Sequence, residues 1–97
     1  MAQMVGNGSP NQDREVLFFT ADTCVFCETV RQQLASLQAV YPFRVKEVNI
    51  SAGDLETHLA EEYQVRSLPT IIVGASQRLA GCIQRDELEN VLLRHLF

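Results

Sequence analysis

No stretch of this chain is apolar over the roughly 18 consecutive residues that a membrane-crossing helix needs, so nothing in it reads as a bilayer span. Its first residues lack a basic stretch leading into an apolar core. No secretory signal is visible, and a cytoplasmic location is the expectation. Basic residues are few and scattered. Lys and Arg number 8 against 12 Asp and Glu, for a net charge of -4, which leaves no basic stripe for a nucleic acid. Cysteine is scarce as well: 3 residues, an odd number, do not make a fully paired disulfide framework. No internal repeat and no second domain are seen.

What is present is an ordinary globular composition, 46% apolar and 21% charged over 97 residues, enough for one domain with a modest core. Residues 1–14 are rich in Gly, Asn, Gln and Ser and carry no apolar period, so they read as a disordered tail ahead of a folded unit at 15–97.

Cys24 and Cys27 stand where an apolar strand, Val16 to Phe19, hands over through the polar turn Thr20 to Thr23 to a helix. The helix should start near Cys24, bury Cys27, Val30, Leu34, Leu37 and Tyr41 on one face, and end at Pro42. Phe43 to Ile50 reads as a strand, and its Arg44, Lys46 and Glu47 suit a sheet edge. A second helix begins near Asp54, a plausible N-cap, with Leu55, Leu59 and Tyr63 as its apolar stripe. Thr70 to Val73 is a buried strand, Arg78 to Cys82 a second short strand in a hairpin with it, and Leu88, Val91, Leu92 and Leu96 stripe a final helix. The order β-α-β-α-β-β-α demands a right-handed crossover and a parallel first pair, followed by an antiparallel hairpin. The fold class is α/β, a four-stranded mixed sheet with helices on both faces.

The cysteine pair carries the chemistry. A helix N-terminus presents unpaired N–H groups and a partial positive charge, which favours a thiolate and lowers the pKa of Cys24. Cys27 lies deeper, on the apolar face, and gains less. That asymmetry makes Cys24 the nucleophile and Cys27 the resolving thiol. In a reducing compartment such a pair serves catalysis or metal binding better than permanent stapling. Two idle core cysteines are the bland alternative. A structural zinc would need two further ligands from Cys82, His58 and His95, and no second close pair exists.

Other residues read more plainly. On spacing alone Pro69 is a trans proline that starts a strand. Cys82 is a small buried filler, with a regulatory or glutathionylated thiol as the lesser reading. His58 is solvated, and His95 sits in a final helical turn that favours a cation.

Together, the strand, the Cys-x-x-Cys at the next helix start, and the distant Ser67-Leu68-Pro69-Thr70 heading a strand resemble the thioredoxin/glutaredoxin superfamily over about 15–96. The segments Phe19 to Cys24, Val48 to Ile50 and Tyr63 to Thr70, and the Gly81 bend, fall in the family's order. The resemblance implies a minimal, glutaredoxin-sized thioredoxin-like fold without the leading strand and helix of full thioredoxins. It implies a cis Pro69 beside the disulfide, with Leu68 offering backbone hydrogen bonds to an extended substrate. Thr23, Val25, Phe26, Leu68, Pro69 and Gly81 are then the substrate-binding residues, with Cys24 and Cys27 catalytic. Three departures stand out. Val25-Phe26 replaces the usual dipeptides between the cysteines, Phe18 occupies the place of the buried acid of thioredoxins, and Gly81-Cys82-Ile83-Gln84 lacks the acid with which glutaredoxins grip glutathione.

The expected function is that of a small dithiol–disulfide oxidoreductase acting on protein disulfides. It would be a monomer with no bound cofactor, re-reduced by a reductase or by glutathione as co-substrate. The alternatives are a glutathione-linked glutaredoxin, a redox-inactive binding module that uses the Pro69 groove, and a scaffold for an iron–sulfur cluster shared between two chains.

Overall fold

The computed structural model describes residues 14–74 and 77–97. The tail expected over 1–14 lies outside them except for Arg14, whose carbonyl accepts from the Arg44 N–H at 2.8 Å. The elements run β1 (Glu15–Thr20), α1 (Cys27–Gln38), β2 (Arg44–Asn49), α2 (Asp54–Glu62), β3 (Thr70–Val73), β4 (Gln77–Ala80) and α3 (Arg85–His95). The sheet order is β2-β1-β3-β4. β1 pairs parallel with β2 from Glu15↔Arg44 to Thr20↔Asn49, and antiparallel with β3 from Val16↔Val73 to Phe19↔Thr70. β3 and β4 form the antiparallel hairpin, with Thr70 opposite Ala80.

Alternation along β1 divides the core into two layers. Val16 and Phe18 face α1 and α3 and join Val30, Leu34, Leu37, Leu88 and Leu92 in the larger cluster. Phe19 faces α2 and meets Val48, Ala60 and Ile72 in the smaller one. The expected mixed sheet with helices on both faces is therefore the observed fold. The charge pattern of β2 has its explanation in the sheet order. The strand lies at the edge, where Arg44 and Lys46 reach solvent and discourage further pairing.

Three local expectations need correction. α1 starts at Cys27, three residues after Cys24, because Thr23 to Phe26 form a turn and the N-cap residue Phe26 supplies no side-chain cap. α2 starts with Asp54 inside the helix, not capping it; Gly53 holds the cap position in extended backbone, and Asp54 and Glu56 meet the dipole from the first turn. The α2 stripe is also shifted. Leu55 is 79% exposed, whereas Ala60 is buried and Leu59 packs against the smaller cluster. Tyr63 stays at the surface and reaches the core through its ring, 5.9 Å from that of Phe19. The C-terminus of α2 is closed from β4: the Arg78 guanidinium donates to the Tyr63 and Gln64 carbonyls, and Gln64 takes a left-handed turn at φ 56°.

One polar cluster sits on the α1 side of the sheet. The Arg31 guanidinium donates to Glu28 and to both oxygens of Glu47, and lies 5.8 Å from the centre of the Phe18 ring. Glu47 also accepts from the buried Thr20 hydroxyl at 3.1 Å. These bonds, led by the one from Arg31, hold the Glu47 carboxyl below the usual carboxylate range.

Truncating a fully buried side chain should show where stability resides. Leu88→Ala is expected to lower unfolding free energy by about 2–5 kcal/mol, read from urea melts. The Glu47 carboxyl titrates lower folded than unfolded, so its contribution is complete above the unfolded pKa and fades as pH falls through the folded one. Glu47→Gln should therefore be less stable than wild type near neutrality, with the two melting temperatures converging as pH falls below the ordinary carboxylate range.

Candidate functional site

Register brings the predicted site residues to one end of the sheet. β1 ends at Thr20 and leads into the cysteine turn, and Phe19, one residue before that end, pairs with Thr70 of β3, which directly follows Pro69. Thr70 faces Ala80, so Gly81 leaves β4 at this same end. A parallel partner, β2, also finishes there at Asn49. Four chain segments thus converge at the C-terminal end of β1, outside regular structure, where side chains are free of ladder constraints.

Cys24 and Cys27 form a disulfide with Cα atoms 5.4 Å apart. Their environments differ as expected. Cys27 is 3% exposed and belongs to the larger core cluster, while Cys24 is half-buried against it. The bond holds the Cys24 sulfur against the first residue of α1, whose N-cap leaves the first-turn N–H groups without a side-chain acceptor. The first turn of α1 thus begins at Cys27 itself, one disulfide bond away from Cys24. Between the cysteines Val25 is 83% exposed and Phe26 47%, and Thr23 is exposed just before them. Cys24 is therefore flanked on its own turn by an accessible surface that Val25 and Phe26 make largely apolar.

The Leu68–Pro69 peptide bond is cis, as the family resemblance implied and spacing alone did not. The Pro69 carbonyl accepts from the Gly81 N–H at 3.0 Å, so these two predicted residues are in direct contact. The Thr70 hydroxyl donates to the Ser67 carbonyl at 2.6 Å and tightens the same bend. Gly81 adopts φ 80°, a left-handed conformation that favours glycine. Leu68 turns its side chain towards the smaller cluster, whereas Cys24 packs on the larger one. What Leu68 can offer near the cysteines is its backbone.

Cys82 is not a buried filler. It is an exposed free thiol, because β4 stops at Ala80 and the Gly81 turn carries the next residue out of the sheet. Phe18 is completely buried and no acid stands in its place; the carboxylate on that sheet face is Glu47, directly opposite Phe18 in register. Among the described residues, no group of three or more His, Cys, Asp or Glu could hold a metal ion.

Sequence reasoning missed a polar ring. The Asn49 amide donates to Asp22 Oδ1 at 2.9 Å, the Ser51 N–H donates to Asn49 Oδ1 at 2.8 Å, and the Asp22 N–H donates to Ser51 Oγ at 3.1 Å. The polar turn Thr20 to Thr23 and the Asn-Ile-Ser run were both visible, but only the Thr20↔Asn49 pairing shows that they meet.

Known proteins answer to this geometry. The family model of the thioredoxin-like domain matches residues 3–95. A thioredoxin of Porphyra purpurea is 30% identical over 91 residues, which cover 89% of this chain and 84% of that protein. A mutant thioredoxin from Halobacterium salinarum superposes with a TM-score of 0.77 at 20% identity, over 90% of this chain and 79% of that one. Thioredoxin O2 from Arabidopsis thaliana, in its oxidised state, gives a TM-score of 0.72 at 21% identity, over 88% and 81% of the two chains.

The unequal burial predicts unequal labelling. After reduction, brief treatment with iodoacetamide near neutral pH should modify Cys24 and the exposed Cys82 and spare Cys27, as mapped by peptide mass spectrometry.

Proposed function

The chain belongs to the thioredoxin-like domain family and is a thiol–disulfide oxidoreductase, and from that premise we propose that it reduces or exchanges disulfides of protein substrates through Cys24 and Cys27. The observation that carries this reading is the pairing of a half-buried Cys24 with a buried Cys27 at the strand-to-helix turn. In the reduced protein the Cys24 thiolate attacks one sulfur of the substrate disulfide. The substrate S–S bond breaks, one substrate thiolate leaves and takes up a proton, and a mixed disulfide remains. Cys27 then loses its proton and attacks the Cys24 sulfur. The second substrate thiol departs, and the Cys24–Cys27 bond forms. Two electrons and two protons have passed from the protein dithiol to the substrate.

Substrate would be bound by the exposed surface of Thr23, Val25 and Phe26 and by the bend of Leu68, Pro69 and Gly81. An extended segment can pair with the Leu68 backbone, while apolar side chains rest on Val25 and Phe26. This favours a polypeptide over glutathione, a small charged thiol, and no acid follows Gly81 until Asp86. The chemistry needs no resident cofactor. Electrons would return from a reductase, or from glutathione as a slower donor.

The reading is tested with insulin and dithiothreitol. Wild type should accelerate precipitation of the insulin B chain, and Cys24→Ser should lose about 100-fold or more of that activity. Cys27→Ser should stop turnover but accumulate a mixed disulfide that survives non-reducing electrophoresis. A reduced wild-type protein that leaves insulin intact sinks the proposal. Efficient reduction of a glutathione mixed disulfide that persists in Cys27→Ser would redirect it to the glutaredoxin route.

A further inference from the structure

The ring of Asp22, Asn49 and Ser51 plays no part in the exchange steps, yet it grips the turn that presents the nucleophile. Asp22 is two residues before Cys24, and Asn49 is the last residue of β2. Each ring member both gives and receives one bond, so the loop after β2 and the turn after β1 are closed on each other. Beneath the ring the Ile50 N–H donates to the Thr20 carbonyl at 2.8 Å, extending the β1–β2 pairing to the start of the turn. Within the turn itself, the Cys24 N–H donates to the Ala21 carbonyl at 3.2 Å. Sheet bonding stops before Cys24 and helix bonding starts after it, so the ring adds a lateral tie to a stretch otherwise held by the packing of Cys24 on the core and by its bond to Cys27.

We propose that Asp22, Asn49 and Ser51 are positioning residues that set the reactivity of Cys24, by holding its turn where the sulfur meets the open N-terminus of α1. The proposal rests on the thiol–disulfide reading of the pair and adds the residues that tune it. Disulfide attack is directional, and a small displacement of the nucleophile costs rate. The ring acts through its geometry. A charge role for Asp22 would have the opposite sign: a carboxylate near Cys24 disfavours the thiolate, so its removal would speed the reaction.

The opposed signs provide the test. Variants are made with Cys82→Ser, leaving Cys24 as the accessible thiol. Two quantities are read: the iodoacetamide rate of Cys24 in the reduced protein, and the equilibrium of the Cys24–Cys27 pair against dithiothreitol. Asp22→Ala and Asn49→Ala should each slow alkylation by about 2- to 10-fold and shift the redox equilibrium by a similar factor. Asp22→Asn, which keeps an oxygen for the Asn49 amide without the charge, should stay within about twofold of the parent. Ser51→Ala, a single-atom loss at an exposed site, should give an intermediate slowing and carries the test if Asn49→Ala does not fold. The proposal is overturned if Asn49→Ala, or Ser51→Ala in its place, matches the parent in both quantities. It is equally overturned if Asp22→Asn is as slow as Asp22→Ala, or if Asp22→Ala is faster than the parent. Both readouts use Cys24 and a small reagent. A wild type inert towards insulin would therefore remove the proposed function and leave this result standing.

Discussion

The pairing of β1 with a neighbour on each side governs the molecule. β1 is buried along nearly its whole length, hydrogen-bonded to β2 and β3, and presents alternate side chains to the two core layers. Its register decides what meets at its C-terminal end. A slip of one residue would exchange the faces of Phe18 and Phe19 and separate Thr20 from Asn49. The cysteine turn, the Pro69 bend and the Gly81 turn lie together because three strands were cut to end in line.

From that frame the two cysteines draw different characters. Cys27 belongs to the core that also contains Val30, Leu34 and Leu88, so its sulfur is held by packing. Cys24 hangs from the turn and touches the core from outside. Where a buried acid would answer to Phe18, this chain has an aromatic ring beneath the Arg31–Glu47 pair. The charge on this face is therefore shared between a strand and a helix and lies partly in water, which limits its energetic weight.

Much of this was legible in the sequence, for identifiable reasons. Element order followed from apolar periods, since Val30, Leu34 and Leu37 recur at helical spacing and Ile71 to Val73 form a continuous apolar run. The edge position of β2 followed from its charges. Less legible features depended on geometry that spacing does not encode. The start of α1 was set near Cys24, where the polar turn ends, yet the chain turns once more before the helix begins. Leu55 matched the α2 stripe but projects past the edge strand, beside Lys46 and Val48, where no third layer covers it. Cys82 looked apolar and small, and its exposure follows from a left-handed glycine just before it. The Asp22–Asn49–Ser51 ring joins residues 27 and 29 positions apart, a distance only the fold can close.

The place of Cys27 in the core ties electron transfer to folding through a thermodynamic cycle. Oxidising the pair and unfolding the chain can be performed in either order, and the sums around the square must agree. Whatever amount the folded chain favours the linked sulfurs over the unfolded chain is the amount by which oxidation raises the unfolding free energy. A core residue that packs more tightly around the linked sulfurs than around the free thiols thereby contributes to the reduction potential without exchanging an electron, and the cluster that includes Cys27 is where such residues lie.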